Sequence, residues 1–93
     1  MATDKITMQD DFLRRLVING EEATIEEMQK SLGENRRNIH SISQHLRRRD
    51  LIIKTSKKTY VNGKIVWEIK YKVNIKKRLR IRDILHYKFG AIK

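Results

Sequence analysis

Several features that would indicate a secreted protein, a membrane protein or an enzyme are missing from this sequence. Its 93 residues include no cysteine and no proline. Without cysteine the chain has no disulfide, no thiolate nucleophile and no zinc ribbon, which fits a reducing compartment. The longest apolar runs are two or three residues, far below the roughly 20 residues that cross a bilayer, and no signal-peptide core follows Met1. We therefore expect an intracellular protein of the cytoplasm or nucleoid without a membrane segment.

The length of the chain sets a second limit. A chain of 93 residues is expected to form one domain, and a domain of this size buries only about 60 to 65% of its unfolded surface. No stretch rich in proline, glycine or serine marks a linker. We therefore expect a single module over residues 1–93 without a deep cavity, and neither a cofactor nor a small-molecule ligand.

Acidic residues are scarce in the second part of the chain. Residues 1–35 contain eight Asp and Glu against four Lys and Arg, whereas residues 36–93 contain three against eighteen. The net charge of the whole chain is +11 at pH 7. Solubility does not require charges to be segregated, and a field of this sign attracts polyanions. Because neutralised phosphates release counterions, nucleic acid is the leading partner, ahead of an acidic membrane surface or an acidic protein.

Capping pairs mark two helix starts in the first third of the chain. Thr7 with Asp10 and Thr24 with Glu27 each place a hydroxyl three residues before an acid, the pattern of a capping box. Apolar residues at helical spacing follow each pair, and Gly33 suits a left-handed C-terminal cap. The predicted helices cover residues 8–19 and about 25–33.

The segment NRRNIHSISQHLRRRDLI, residues 35–52, is the most basic part of the chain. Ile39, Ile42 and Leu46 share one stripe at 3.6-residue spacing, which predicts an amphipathic helix over residues 35–49 with Asn35 as its N-cap. The opposite face carries donors and no acid. Only the turn GEN separates this helix from the preceding one, and two helices joined by a short glycine-containing turn are the sequence form of a helix-turn-helix.

After residue 50 the apolar period changes from 3.6 to 2. LIIKTSKKTY and IVWEIKYKV read as strands, and the pair Asn62-Gly63 between them indicates a two-residue hairpin turn. Alternate side chains of a strand share a face, and we expect the apolar face of the second strand to pack against the core while the other face is wet and basic. The residues of that apolar face are Ile65, Trp67, Ile69, Tyr71 and Val73.

The tail NIKKRLRIRDILHYKFGAIK predicts a helix over residues 75–90 whose apolar positions cover more than one face. Since the core of a small monomer would not need both faces, we expect part of this helix to meet a second subunit in a homodimer. The predicted interface residues are Leu79, Ile81, Ile84, Leu85 and Phe89.

The order helix, helix, turn, helix, hairpin resembles the winged helix-turn-helix family of DNA-binding proteins over residues 7–73. The most specific part is TIEEMQKSLGENRRNIHSISQHLRRRDLI, residues 24–52. The fold that this resemblance implies is α+β: three helices, a two-stranded β-hairpin wing and a C-terminal helix. Asp50 stands where the family usually has glycine, and aspartate tolerates the left-handed conformation at some cost.

The resemblance implies sequence-specific binding of double-stranded DNA, most simply by a small transcriptional regulator. In this family the helix over residues 35–49 would lie in the major groove, and the wing over residues 56–66 would contact adjacent backbone or the minor groove. The implied contacts from the helix are Asn35, Arg36, Arg37, His40, Ser41, Gln44, Arg47 and Arg48. The implied contacts from the wing are Lys57, Lys58, Tyr60, Asn62 and Lys64.

Three alternatives stay open. A replication or plasmid-partition DNA-binding protein of a virus or plasmid would use the same fold. An RNA-binding or ribosome-binding protein would have the same size and charge, and a protein-interaction module would bind an acidic partner. An enzyme is disfavoured because no strained nucleophile elbow or phosphate loop is present. A metal site is disfavoured because His40 and His45, five residues apart, do not share a helix face.

Overall fold

The computed structural model describes residues 5–90, which form an α+β structure of four α-helices and one three-stranded antiparallel sheet. The elements in chain order are α1 (Met8–Ile18), β1 (Glu22–Thr24), α2 (Ile25–Leu32), α3 (Arg36–Arg48), β2 (Ile52–Val61), β3 (Lys64–Val73), a 3₁₀ turn (Ile75–Lys77) and α4 (Arg78–Phe89). Within residues 5–90 no helix is both long enough and apolar enough to cross a membrane.

The three predicted helix starts are confirmed by their hydrogen bonds. The Thr7 hydroxyl accepts from the backbone N–H of Asp10 at 3.2 Å, and the Asp10 carboxylate accepts from the backbone N–H of Thr7 at 2.9 Å. Thr24 and Glu27 form the same reciprocal pair at 3.1 and 2.8 Å. The side chain of Asn35 accepts from the backbone N–H three residues later at 2.8 Å. These bonds satisfy amide groups that a helix start otherwise leaves unpaired.

Residues in the left-handed conformation end α2 and α3. Gly33 has φ 66°, and the next backbone N–H donates to the carbonyl of Gln29 at 3.2 Å. Asp50 follows α3 with φ 63°, and the N–H of Leu51 donates to the carbonyl of Leu46 at 3.1 Å. The expectation that Asp50 takes a conformation favoured by glycine is confirmed. Both turns are therefore tight, and α3 is held directly between α2 and β2.

The sheet has strand order β1-β3-β2, so the expected two-stranded hairpin is incomplete. The third strand, β1, pairs with β3 in the register Glu22↔Lys72 and Thr24↔Lys70. A strand of three residues is too short for alternation to be visible in the sequence. Its pairing depends on residues about fifty positions away, which local patterns do not report.

The core lies between the helices and the base of the sheet. Tyr71 of β3 is fully buried and meets Phe12 of α1 edge to face, with ring centroids 5.6 Å apart. The Tyr71 hydroxyl finds no hydrogen-bond partner among residues 5–90. The other buried apolar residues are Leu13, Leu16, Ala23, Ile25, Met28, Ile39, Leu46, Leu51, Ile52, Val73, Ile81 and Leu85.

The outer half of the hairpin projects away from this core. Strands of ten residues are about 33 Å long, whereas the two shorter dimensions of the chain are 27 and 24 Å. Tyr71 and Val73 are buried, but Trp67 is 58% exposed and Ile65 is 53% exposed. The prediction that the whole apolar face of β3 packs is therefore wrong for its outer half, because the helices cover only the base of the hairpin.

Helix α4 packs onto the core of its own chain more than was expected. Ile81 and Leu85 are each 2% exposed, and Ile84 and Phe89 are partly buried against the core. Of the five residues assigned to a dimer interface, only Leu79 is fully open, at 75% exposure. Ile81 and Leu85 cannot form an intersubunit surface while the chain keeps this fold. The apolar residues of α4 that lie outside a single stripe also pack in the core of the same chain, because α4 lies against α1.

Two ion pairs link α4 to the first part of the chain. Lys88 Nζ lies 3.3 Å from Asp10 Oδ2, and both side chains are largely buried. Burial alone would raise the pKa of Asp10, but hydrogen bonds from Thr7 and the pair with Lys88 outweigh it, so the net shift of this pKa is downward. Arg78 donates twice to the Glu21 carboxylate, at 2.9 and 2.6 Å.

Candidate nucleic-acid interface

One face of α3 consists of exposed donors and carries no acid. Ile39, Ser43 and Leu46 are buried on the opposite face, and at 100° per residue this fixes the direction of the outer face. Its members lie within about 100° of arc and are all exposed: Arg37, His40, Ser41, Gln44 and Arg48. We call these five residues the α3 outer face. From Arg37 to Arg48 it extends about 16 Å along the helix at 1.5 Å per residue.

Three of the predicted contact residues on α3 have roles inside the chain. Arg36 donates to Glu26 at 3.0 Å, and both side chains are exposed. The Asn35 side chain is engaged as the N-cap. Arg47 is half-buried, and its Nε atom is fully buried without a hydrogen-bond partner among residues 5–90. These three side chains are therefore less free to contact a ligand than the α3 outer face.

All five predicted wing residues lie on the exposed outer half of the hairpin. Asn62 has φ 52° and Gly63 has φ 76°, the two left-handed conformations of the hairpin turn that the Asn-Gly pair predicted. Lys57 is directly opposite Glu68, and Lys64 is directly opposite Val61. The exposed wing residues are Lys57, Lys58, Tyr60, Asn62 and Lys64.

The acids of the first part of the chain neutralise some of the cations of the second part. Besides Arg36, Arg78 and Lys88, Lys70 and Lys72 approach the Glu22 carboxylate at 3.6 and 3.9 Å. Within residues 5–90 no such ion pair forms with the arginines of the α3 outer face or with the wing lysines 57, 58 and 64. Uncompensated positive charge therefore remains on α3 and on the wing, and also around the start of α4, at Lys76, Lys77, Arg80 and Arg82.

Sequence reasoning missed two exposed apolar residues and one exposed histidine. Trp67 and Ile65 were expected in the core but lie open on the wing. His45, which the sequence did not assign to the predicted interface, is exposed on α3. The length of the strands was the available signal, because ten-residue strands exceed the width of a core built from helices of 8 to 13 residues.

Within the described part of the chain, no group of three or more His, Asp or Glu side chains could hold a metal ion. A scan against protein-family models found no match, and a search of curated proteins found no similar sequence.

Proposed function

We propose that the chain is a winged-helix protein that binds double-stranded DNA with sequence specificity, most simply as a small transcriptional regulator. The observation that carries the proposal is the α3 outer face, a helix surface without an acid that carries a histidine, a glutamine and two arginines with no ion pair among residues 5–90. The element order and the strand order β1-β3-β2 support a winged-helix arrangement.

The chemistry of the α3 outer face suits base edges in a major groove. That groove is about 12 Å wide and admits one α-helix. Arginine bonds O6 and N7 of guanine together, and glutamine bonds N6 and N7 of adenine, each contact being worth about 1 to 3 kcal/mol of discrimination. In this proposal Arg37, His40 and Gln44 read bases, while Arg48 and the wing lysines bind phosphates and carry little sequence information.

Duplex RNA is the weaker candidate ligand for the same helix. The major groove of A-form RNA is deep and narrow, so side chains on a helix do not reach its base edges. A preference for duplex DNA over duplex RNA of the same sequence is therefore expected. Equal affinity for the two duplexes would favour the RNA-binding alternative.

The proposal includes a homodimer, with a narrower interface than the sequence predicted. Leu79 remains the exposed apolar residue of the predicted set, and Tyr87 of α4 is also exposed. Two copies would present their α3 helices to successive major grooves about 10 base pairs apart. A palindromic DNA site would follow from this symmetry.

Charge reversal at one arginine, compared with a matched arginine elsewhere, tests the proposal. Arg37→Glu changes the α3 outer face, and Arg82→Glu changes an exposed arginine of α4 by the same net charge. At physiological salt we expect Arg37→Glu to abolish binding of a selected duplex and Arg82→Glu to weaken it only slightly. Equal losses would mean that the total charge, and not the α3 outer face, attracts the DNA.

A further inference from the structure

The outer half of the wing carries an aromatic face that no element covers within residues 5–90. Trp67 is directly opposite Lys58, and Ile65 is directly opposite Tyr60. Directly opposite residues of an antiparallel pair share a face, so these four side chains form one surface, which we call the wing strip. Tyr60 is 68% exposed, and Lys58 is also exposed.

The spacing within the wing strip suits the stacking of bases. Tyr60 and Trp67 are diagonal neighbours across the hairpin, and such neighbours are about 7 to 8 Å apart at their Cα atoms. Bases in a DNA strand follow each other at about 3.4 Å, so the separation of the two aromatic residues is close to two stacking distances. One base has room between the rings, or one base can lie on each of them.

Two lysines lie on the same face of the hairpin as these rings. Lys58 Nζ lies 5.7 Å from the centre of the Tyr60 ring. Lys54 is on the same face of β2, four residues closer to the core, where it is directly opposite Tyr71. Aromatic rings set beside a basic track are the combination with which proteins bind single strands, because the rings stack on bases and the cations follow the backbone. We propose that the wing strip binds unpaired bases of single-stranded DNA.

A duplex offers the wing strip little to bind. In a duplex each base is covered above and below by its neighbours, and only the base edges reach the grooves. The flat rings of Tyr60 and Trp67 need an open base face, which an unpaired nucleotide presents. Ile65 adds an aliphatic contact for the thymine methyl group, which uracil lacks.

A second copy of this chain is a poorer occupant of the wing strip. In a symmetric contact between two copies the same patch meets itself, so Lys58 and Lys54, which share the face of the wing strip, would approach the same lysines of the second copy. Like charges that face each other repel, whereas the phosphates of a DNA strand attract these lysines. The charge of the wing therefore favours a nucleic-acid strand over a wing-to-wing dimer.

Trp67 is the only tryptophan of the chain, so its fluorescence reports directly on the wing strip. The full chain is titrated with oligothymidylate of about 12 nucleotides, and separately with a blunt duplex of equal phosphate number, at physiological salt of about 0.15 M. We expect oligothymidylate to quench Trp67 emission strongly. The duplex, which meets the wing lysines but presents no open base face, should quench it much less. Absence of quenching by the single strand, or equal quenching by both ligands, would overturn the proposal.

Paired tyrosine variants separate stacking from general attraction. Tyr60→Ala leaves the Trp67 reporter in place and is expected to weaken oligothymidylate binding by roughly 5- to 150-fold, the range for loss of one stacked base. Tyr87→Ala removes another exposed tyrosine, on α4 and outside the wing strip, and should leave the affinity for oligothymidylate unchanged. Circular dichroism of both variants checks that they are folded. Equal affinities of the two variants would contradict a stacking role for Tyr60.

Three further comparisons distinguish binding of a single DNA strand by the wing strip from binding of a duplex, of RNA or of a protein. Arg37→Glu should lose duplex binding but keep quenching by oligothymidylate, so a failure of the duplex proposal and a failure of this one are distinguishable. Oligouridylate should bind less tightly than oligothymidylate, and the reverse order would overturn the assignment to DNA. If Tyr60→Ala lowers the mass in sedimentation velocity but not the affinity for the strand, the wing strip is a protein contact and the proposal is wrong.

Discussion

The two adjacent arginines at the start of α3 should contribute unequally to DNA binding. Arg36 donates to Glu26 at 3.0 Å, whereas Arg37 belongs to the α3 outer face and has no ion pair among residues 5–90. Three single variants separate their roles: Arg37→Ala, Arg36→Ala and Glu26→Gln.

The expected magnitudes follow from the geometry of the pair. A bidentate contact of Arg37 with guanine is worth about 1 to 3 kcal/mol, so Arg37→Ala should weaken binding of the selected site by roughly 5- to 150-fold. The Arg36–Glu26 pair is exposed at 53% and 63% of its side chains, and such pairs are worth about 0 to 1 kcal/mol. Arg36 must give up that pair to reach DNA, so its loss should cost less than the loss of Arg37.

Glu26→Gln should act in the opposite direction. It releases Arg36 and removes a negative charge near the start of α3, so binding should tighten by up to about 1 kcal/mol, roughly 5-fold. Fluorescence anisotropy with a labelled duplex measures all three variants at one salt concentration, and a scrambled duplex separates specific from general losses. An Arg36→Ala loss as large as that of Arg37→Ala, together with weaker binding by Glu26→Gln, would refute the assignment.

Four further predictions concern stability and assembly. Tyr71→Phe removes the buried hydroxyl that finds no partner within residues 5–90; since such a group costs about 1 to 3 kcal/mol, the thermal midpoint should stay equal or rise, and a clear fall would contradict this. Asp50→Gly should raise the free energy of unfolding in urea by about 0.5 to 1 kcal/mol, because glycine adopts φ 63° without strain; unchanged stability would show that Asp50 is not strained. The pKa of Asp10 is lowered on folding, so its stabilisation is complete above the ordinary aspartate pKa of about 3.9 and is lost as pH falls through the lower folded value. Thermal midpoints between pH 6 and 2 should show a loss that is smaller in Lys88→Met, and equal losses would argue against the ion pair. Leu79→Lys, at the most exposed apolar residue of α4, should convert the proposed dimer to a monomer in sedimentation velocity without lowering the thermal midpoint extrapolated to low concentration, and a persistent dimer would exclude this surface.

Local signals in the sequence predicted the helix boundaries because their causes are local. A cap such as Thr24 with Glu27 involves atoms three residues apart, and the turn at Asn62-Gly63 involves two residues that accept positive φ. The left-handed conformation of Asp50 also has a local cause, because the chain turns out of α3 at this residue. Each of these features is fixed by neighbours along the chain.

Features that depend on distant residues were predicted less well. The strand β1 exists because Glu22 pairs with Lys72, and three residues carry no visible period. Alternation placed Trp67 and Tyr71 on the same face of β3, but it could not say where the core ends along that face. The helices stop beside Tyr71, so Tyr71 is buried while Trp67, four residues earlier, is exposed.

Part of the candidate interface was also hidden from the sequence. The spacing of Ile39 and Leu46 was sufficient to assign Arg37 and Gln44 to the outer face of α3. The engagement of Arg36 by Glu26 crosses the turn between two helices, and the pattern of α3 alone does not contain it. The charge segregation in the chain likewise overstated the free positive charge, because Glu21 and Glu22 fold back onto cations of the second part.

Selection of bound sequences from a random duplex DNA pool tests sequence-specific DNA binding most directly. The selection uses the full chain at physiological salt, where general attraction to phosphates is weakened, and it is repeated with Arg37→Ala. We expect an enriched motif, palindromic if two copies bind together, whose preference for guanine relaxes at one position in the variant. If no motif is enriched and binding disappears as salt rises, α3 binds only phosphates, which would contradict sequence-specific recognition.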